Sequence, residues 1–406
     1  MLATTLKPLP IEASRIRLAV RSLQPQLVAW RRNLHQRPEL AFNETLTSAF
    51  IVQKLTEWGI EYQAEVAGTG VVATIQGGRP GQVFAIRADM DALPIQEANE
   101  VPYKSQHEGK MHACGHDGHV AIALGAAYYL SQRAEQLPGI IKFIFQPAEE
   151  GPGGAKPMIE AGALKNPDVD AIIGLHLWNN MPLGSIGVRS GALMAAVELF
   201  DLTIQGKGGH GALPHQTVDS IVVASQIVTA LQTIVARNVD PVKSAVVTVA
   251  SFHAGKANNV IADSAHLTGT IRYFDPTFTD FFETRFHQIV GGICQAHGAT
   301  YHLDYHKLYP PVINDEAIAN LVRSVAEDVL ETPLGVVPEC QTMGGEDMSF
   351  FLQEVPGCYF FLGSANVDKG LAYPHHHPRF DFDETALGMG VEMFIRCVER
   401  FFNIEL

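Results

Sequence analysis

Two kinds of hydrophobic pattern alternate along most of the chain. Short apolar runs bounded by glycine, proline or polar residues predict buried β-strands over 70–75, 83–87, 140–145, 171–175 and 358–362. Longer segments with apolar residues at helical spacing predict helices over 26–37, 120–130 and 315–330. Pro38 follows the first of these, at a position where helices usually end. Strands that alternate with helices indicate an α/β fold with a mostly parallel sheet between helices.

The pattern changes between residues 195 and 309. Predicted strands at 198–204, 245–253, 265–274 and 300–305 are combined with predicted helices at 218–235 and 277–296. Their order, β-α-β-β-α-β, is that of a small ferredoxin-like α+β domain. We therefore predict two domains, one formed by 1–194 and 310–406 and one formed by the insertion 195–309, because insertions at surface turns are well tolerated.

The densest group of metal-binding side chains lies just before the predicted helix at 120–130. The segment Met-His-Ala-Cys-Gly-His-Asp-Gly-His at 111–119 contains His112, Cys114, His116 and His119. A cysteine and a histidine two positions apart in an extended turn can point the same way and reach one metal centre. We predict that Asp117 is the N-cap of the following helix, because aspartate is favoured at that position.

Other candidate ligands follow predicted strands elsewhere in the chain. Glu149 and Glu150 follow the strand at 140–145, His176 follows that at 171–175, and three histidines at 375–377 come after that at 358–362. Open α/β sheets build their sites at strand ends. Cysteine, histidine and carboxylate form a suitable ligand set for two borderline divalent ions. Because the sequence contains no Cys-x-x-Cys pair, this mixed set favours a catalytic site over a structural zinc site.

Composition narrows the choice of function. The 406 residues are 47% hydrophobic and 18% charged, which is typical of a chain with a sizeable folded core. A net charge of −14 argues against nucleic acid or an anionic membrane as a partner. The five scattered cysteines are unlike a disulfide framework and favour a reducing compartment. No apolar run reaches the ~18 residues that span a bilayer, and the start lacks a signal-like apolar segment, so we expect a cytoplasmic protein.

Several motifs together resemble those of a known family. They are the segments 31–40, 87–94 and 208–215, the Cys114/His116 pair, Glu149-Glu150, and His376-His377-Pro378. Over nearly its whole length the chain resembles the amidohydrolase branch of the co-catalytic two-metal peptidases. That branch includes hippurate hydrolases, N-acyl-amino-acid amidohydrolases and plant auxin–amino-acid conjugate hydrolases.

The resemblance implies a metal-bearing catalytic domain with an inserted lid that also forms a dimer. It implies that two divalent ions per subunit, Mn²⁺ or Zn²⁺, are bound by Cys114, His116, Glu150, His176 and His376. Cys114 would bridge the ions as a thiolate, where more distant relatives have aspartate. Glu149 would act as the general base on a metal-bridging water.

The resemblance also assigns roles to three residues of the insertion. A histidine at the position of His210 reaches the active site of the partner subunit and stabilises the oxyanion. Asn259 and Arg272 match positions that bind the substrate carboxylate, for which the arginine fork is well suited. Ala262 is a departure, because the relatives usually have proline after the Asn-Val-Ile motif.

For several neighbouring residues the sequence leaves two interpretations open. Asp89 and Asp91 either accept hydrogen bonds that orient the metal-binding imidazoles or cap the turn after the preceding strand. His375 and His377 are expected to support the site or to lie at the surface. Asp347 either caps a local turn or contacts the substrate.

The sequence therefore predicts an enzyme that hydrolyses the amide bond of N-acyl-L-amino acids, a small-molecule substrate, and releases a carboxylic acid and a free amino acid. We expect it to be a homodimer. A dipeptidase or carboxypeptidase on the same fold is the alternative, which kinetics on hippurate-like amides and dipeptides would separate. A non-enzymatic binding protein is disfavoured because every expected ligand and the base are present.

Overall fold

The structure is a computed structural model that describes residues 11–330 and 335–406. The chain divides into two compact units. The first contains the described residues up to Gly191 and those of Ile313–Cys340 and Phe350–Leu406, and the second contains Ala192–Val312 and Gln341–Ser349. Residues 341–349 are predicted to belong to the catalytic domain, whereas in the structure this segment groups with the insertion. The function of the second unit as a lid and dimerisation domain stays a prediction.

The described residues form nine α-helices and sixteen β-strands. The helices are α1 (Ile11–His35), α2 (Thr45–Glu57), α3 (His116–Ser131), α4 (Ala155–Glu160), α5 (Ser220–Asn238), α6 (Phe281–His297), α7 (Glu316–Val329), α8 (Met348–Glu354) and α9 (Thr385–Phe402). The strands are β1 (Glu61–Val66), β2 (Gly70–Gln76), β3 (Arg79–Asp89), β4 (Pro138–Gln146), β5 (Ala171–Pro182), β6 (Ile186–Gly187), β7 (Gly191–Met194), β8 (Ala196–Gln205), β9 (Gly209–His210), β10 (Ala245–Ala254), β11 (Val260–Ile261), β12 (Ser264–Tyr273), β13 (Thr300–Tyr309), β14 (Val312–Asn314), β15 (Val336–Val337) and β16 (Gly357–Ala365).

An eight-stranded sheet forms the centre of the first unit. Its order is β1-β2-β4-β3-β5-β16-β6-β15, and the four strands β4, β3, β5 and β16 run parallel to one another. Antiparallel pairs extend it on both sides. Residues 171–177 of β5 are all buried, as expected for a strand covered on both faces. The predicted α/β class is confirmed, and the parallel part is the part that carries the candidate ligands.

Two helices of the first unit show why this sequence packs as it does. Helix α3 is apolar almost all round and is buried along nearly its whole length, as such helices must be. Helix α9 instead has one apolar face, on which Leu387, Val391, Phe394 and Val398 are buried at helical spacing. Helix α1 packs against both α3 and α9, so the entry to α3, where the cluster of 111–119 lies, is held by core packing.

Some boundaries differ from the predictions. The first helix begins at Ile11 rather than at 26 and ends at His35. The helix predicted from 277 begins at Phe281, because Pro276–Phe278 forms a separate 3-10 turn. Helix α2 is absent from the predictions, since only Thr47, Ile51 and Leu55 are buried along it and its apolar periodicity is weak.

The second unit has the predicted β-α-β-β-α-β order. Its four-stranded antiparallel sheet has the order β10-β12-β8-β13, and α5 and α6 pack against it and against each other. Helix α5 starts cleanly because the Asp219 carboxylate accepts hydrogen bonds from the amides of Ile221 and Val222. Helix α5 is long enough, at 19 residues, and apolar enough, with a mean hydropathy of 1.4, to meet the two criteria for a helix that could cross a membrane. Helices packed on a sheet meet the same two criteria, and α5 buries Val223, Ile227, Leu231 and Ile234 in the core of this unit.

A buried group of charges links α1 to the segments around the candidate ligands. The fully buried Arg31 guanidinium donates to Asp117 at 2.8 Å and to Asp381 at 2.7 Å, and it lies 4.4 Å from the ring centroid of Phe382. His35, one turn later, contacts Asp117 at 2.8 Å. Burial opposes the charge of Arg31, but Asp381 and Asp117 keep its pKa well above the usual value. Removing any one of these charged side chains would therefore leave a buried charge without its partner and destabilise the fold.

Replacing Arg31 with Met should lower the free energy of unfolding by ~3–5 kcal/mol, because Asp117 and Asp381 would remain buried without their cation. Chemical denaturation measures this change. The adjacent Arg32 is the control, since its side chain is 42% exposed and pairs with Glu384 at 2.6 Å. Arg32→Met should cost less than about 1 kcal/mol. Equal losses for the two variants would contradict a special role for the buried network.

Candidate metal centre

The cluster of 111–119 is shaped by a glycine and by the start of α3. Gly115 is the N-cap of α3 and has φ 96°, a left-handed conformation that favours glycine. The helix therefore begins at His116, and the prediction that Asp117 is its N-cap is wrong. Asp117 lies in the first helical turn, where its carboxylate is taken up by Arg31 and His35. Cys114 thus precedes the helix and His116 is its first residue.

The structure brings all five predicted ligands of the first unit together with Glu149. Cys114 Sγ lies 3.4 Å from His176 Nε2, and His376 Nε2 lies 3.2 Å from Glu150 Oε1. Three overlapping groups have their possible ligand atoms within 4.8 Å of one another: Cys114, His116 and His176; Cys114, Glu150 and His376; and His116, Glu149 and Glu150. The three groups share Cys114, His116 and Glu150, so the possible ligand atoms form one continuous cluster.

The tautomers of two histidines leave the correct nitrogen available for a metal ion. His116 Nδ1 donates to the Asp91 backbone carbonyl at 3.0 Å and faces the Asp91 carboxylate at 3.2 Å. His116 Nε2 is buried and has no hydrogen-bond partner among the described residues. His176 Nδ1 donates to the Leu177 carbonyl at 2.6 Å, which leaves its Nε2 facing Cys114. A divalent ion would satisfy these nitrogens, so the residues fit the implied metals.

Asp91 connects the histidine side of the site to the glutamates. Its Oδ1 accepts a hydrogen bond from the Glu149 amide and its Oδ2 accepts one from the Glu150 amide, both at 3.0 Å. The same carboxylate faces His116 Nδ1. Of the two interpretations of Asp91, the structure therefore favours orientation of the site over simple turn capping.

Asp89 and His119 form a hydrogen-bonded pair next to the candidate ligand His176. His119 Nδ1 donates to Asp89 at 2.5 Å, and His119 Nε2 accepts from the Leu177 amide at 2.9 Å. With both nitrogens engaged, His119 holds the strand next to His176. Asp89 also pairs with Arg87 at 2.6 Å. His112 belongs to none of the metal-capable groups among the described residues, and burial lowers its pKa to about 4.

The three histidines at 375–377 have three different environments. His376 faces Glu150 and its side chain is 53% exposed. His375 Nε2 accepts from the Asn179 amide at 3.1 Å, so its Nδ1 carries the proton and points to Cys114 Sγ at 3.8 Å. Burial and the neighbouring His376 lower the pKa of His375 to about 3, which keeps it neutral. His377 stacks on Tyr373 and accepts from the Arg379 amide.

The charge balance of the site favours a cation. Burial raises the pKa of the Cys114 thiol, and the nearby carboxylates of Glu150, Glu149 and Asp89 raise it further. Without a cation the thiolate would therefore be strongly disfavoured. A divalent ion reverses this preference, because it stabilises the thiolate and the carboxylates together.

The predicted residues of the insertion lie in the second unit. His210 on β9 pairs with Val260 on β11, and the carbonyl of Asn259 accepts from the Gly211 amide at 2.8 Å. The two residues are therefore neighbours. Arg272 lies on a different strand, β12, and donates to the Thr270 hydroxyl and to the Ile271 carbonyl. Their roles toward the substrate stay predictions.

Some residues that shape the site were not assigned a role from the sequence. Arg31 lies within a motif of the resemblance but carries no metal-binding group, and only the fold brings it to Asp117 and Asp381. Asn179 is similar, since its amide fixes the tautomer of His375. The one signal in the sequence that could have pointed to Asn179 is its place three residues after His176, on the same strand β5.

The first unit combines an open α/β sheet with a cluster of cysteine, histidine and glutamate side chains that could hold metal ions, as expected for a metal-dependent enzyme. His176 lies within β5, which extends to Pro182, and not after the end of a strand as the sequence predicts. The chain belongs to the family described as Peptidase family M20/M25/M40, which matches residues 85–400. The resemblance drawn from the motifs is thereby confirmed, as is hydrolysis of amide bonds as the class of reaction.

The chain is similar to relatives named for two kinds of activity. An N-acyl-L-amino acid amidohydrolase of Geobacillus stearothermophilus is 46% identical over 300 residues, which cover 74% of this chain and 80% of the relative. Thermostable carboxypeptidase 2 of Saccharolobus solfataricus is 40% identical over 388 residues, covering 95% and 97%. A Bacillus subtilis crystal structure, described as a dinuclear metal-binding peptidase of the M20 family, is 36% identical with a TM-score of 0.82, covering 94% and 99%.

Replacing Asp91 with Asn should weaken metal binding by roughly 10- to 100-fold, as is typical when a residue that orients a ligand is lost. The asparagine NH₂ group would face one of the amides that now donate to Asp91. Metal titration of the chelated protein measures the affinity. Asp170→Asn is the control, since Asp170 also accepts from a backbone amide, that of Val83, but lies outside the ligand cluster. Wild-type affinity in Asp91→Asn would contradict the orienting role.

Proposed function

We propose that this protein hydrolyses the amide bond of N-acyl-L-amino acids, with two divalent ions held by Cys114, His116, Glu150, His176 and His376. Membership of an amide-hydrolysing peptidase family supports the reaction class. The grouping of these five side chains in the first unit supports the ligand set. The proposed ions are Mn²⁺ or Zn²⁺, as the resemblance of the motifs implies.

The observation that carries the proposal is the arrangement of two consecutive glutamates. Their amides are held by the two oxygens of Asp91. Glu150 belongs to the ligand group with Cys114 and His376, and both glutamates belong to the group with His116. Glu149 Oε2 lies 4.0 Å from His116 Nε2. We assign the ligand role to Glu150, which is shared by both groups, and the role of base to Glu149.

The chemistry follows from that division of roles. Bound divalent ions would supply Lewis acidity, which polarises the amide carbonyl and lowers the pKa of water. Glu149 takes a proton from the attacking water as the new carbon–oxygen bond forms. Glu149 then gives that proton to the leaving nitrogen as the carbon–nitrogen bond breaks. The products are a carboxylic acid and a free amino acid.

Substrate recognition is assigned to the second unit. Arg272 has no carboxylate partner among the described residues, and its guanidinium donates to two neutral oxygens, those of the Thr270 hydroxyl and the Ile271 carbonyl. A guanidinium in this state is suited to bind the α-carboxylate of an N-acyl-amino acid. We assign Asn259 to the same carboxylate and His210 to the oxyanion of the partner subunit's active site in a homodimer.

A carboxypeptidase or dipeptidase is the second candidate function. The 40% identity to thermostable carboxypeptidase 2 favours it. Both candidates use a substrate with a free carboxylate, and they differ in what lies on the acyl side. An acyl group without a free amine marks the amidohydrolase, whereas a peptide with an α-amino group marks the peptidase.

The test is hydrolysis by chelated protein reconstituted separately with Mn²⁺ and Zn²⁺. The substrates are N-acetyl- and N-benzoyl-amino acids, their carboxamides and dipeptides. Cleavage of the acyl-amino acids should be fastest and should weaken when the carboxylate is replaced by a carboxamide. Glu149→Ala should lower kcat by about 10²- to 10⁴-fold while the metal content stays unchanged. Glu160→Ala, an exposed glutamate on α4, is the control.

Two results would contradict the proposal. Preferred cleavage of dipeptides would assign the protein to the peptidase alternative. Normal turnover in Glu149→Ala would remove the proposed base from the mechanism whichever substrate is preferred.

A further inference from the structure

The turn that carries Glu149 is held at three consecutive backbone amides. Asp91 accepts from the amides of Glu149 and Glu150. The preceding amide, that of Ala148, donates to Glu44 Oε1 at 2.9 Å. Glu44 precedes α2 and is 104 residues away in sequence from Ala148. Two carboxylates from distant segments therefore fix the backbone on both sides of the Glu149 Cα atom.

Ala148 needs such support because its backbone is strained. Its φ is 58°, in the left-handed region that residues other than glycine rarely adopt. Strained conformations persist where the surroundings determine them. Ala148 is fully buried, and its carbonyl accepts from the Gly153 amide at 3.0 Å. Because Ala148 directly precedes Glu149, a change in its dihedral angles would move the Glu149 carboxylate.

The burial of Glu44 is not explained by the helix it precedes. The Glu44 side chain makes no capping bond to α2, whereas Glu39 accepts from the amides of Leu46 and Thr47 in the first turn. Glu44 is fully buried and has no cation partner among the described residues. Burial raises its pKa. Its second oxygen accepts from the Thr69 hydroxyl at 2.6 Å.

We infer that Glu44 is a positioning residue, which holds Ala148 in its left-handed conformation and thereby places the Glu149 carboxylate for proton transfer. The inference rests on the proposed function, in which Glu149 is the base. The Glu44 carboxylate is bonded to Thr69 and Ala148, and neither of these residues is a proposed ligand. Its removal should therefore lower kcat and leave metal binding and KM near their wild-type values.

Three variants test this role against a purely structural one. Glu44→Ala should lower kcat by roughly 10- to 100-fold, the typical result of misplacing a catalytic group by about 1 Å. Glu44→Gln keeps an oxygen for the Ala148 amide and should recover most of kcat. Glu39→Ala is the matched control, because it removes a buried carboxylate from the same segment without touching residues 148–150. It should lower stability and keep kcat.

Metal content, KM and kcat are measured for each variant beside Glu149→Ala. If Glu149→Ala is inactive and Glu44→Ala turns over normally, the positioning role is wrong and the proposed function stands. If Glu149→Ala turns over normally, Glu149 is not the base, and both the proposed mechanism and the positioning role of Glu44 are wrong. Loss of metal in Glu44→Ala, or equal kcat loss in Glu44→Gln, would also overturn the inference. If Glu44→Ala does not fold, Thr69→Val should lower kcat several-fold with unchanged KM, and an unchanged kcat would contradict the role.

Discussion

The ion pair between Arg31 and Asp117 is the interaction on which the candidate metal centre depends. Asp117 is the residue after His116, and Asp381, the second partner of Arg31, lies five residues after His376. A single buried guanidinium therefore ties together the two chain segments that carry most of the proposed ligands. Because a buried charge is tolerated only with its full set of partners, these segments have little freedom to move independently.

The acidic residues near this ion pair have two different roles. Glu149 and Glu150 face the ligand cluster, whereas Asp89, Asp91 and Glu44 hold imidazoles and backbone amides behind it. So many carboxylates close together raise the pKa of the Cys114 thiol and would repel one another without a counter-charge. Divalent cations would relieve that repulsion, which links metal binding to the stability of the centre.

The sequence was sufficient for the class of fold, because the alternation of apolar runs is local. The proposed ligands came from short motifs, and the structure brings those side chains close together. The sequence was insufficient where a distant contact decides the role of a residue. Aspartate is a residue type favoured at the N-cap, which is why Asp117 was predicted there. In the structure Gly115, which can adopt a positive φ, is the N-cap, so the helix begins one residue before Asp117. The Asp117 carboxylate instead accepts a hydrogen bond from Arg31. Nothing in the sequence near Glu44 predicts its role, because its partner Ala148 is 104 residues away in the chain and only the folded structure brings the two together. Helix α2 was missed because its buried face is narrow.

Cys114, His116, Glu150, His176 and His376 are the side chains that we propose would hold two divalent ions. Anomalous diffraction from crystals of the Zn²⁺- or Mn²⁺-loaded protein tests this proposal most directly. We expect two peaks, each next to side chains of this set, with Cys114 and His116 among them. A single peak, or ions bound away from Cys114 and His116, would contradict the proposal.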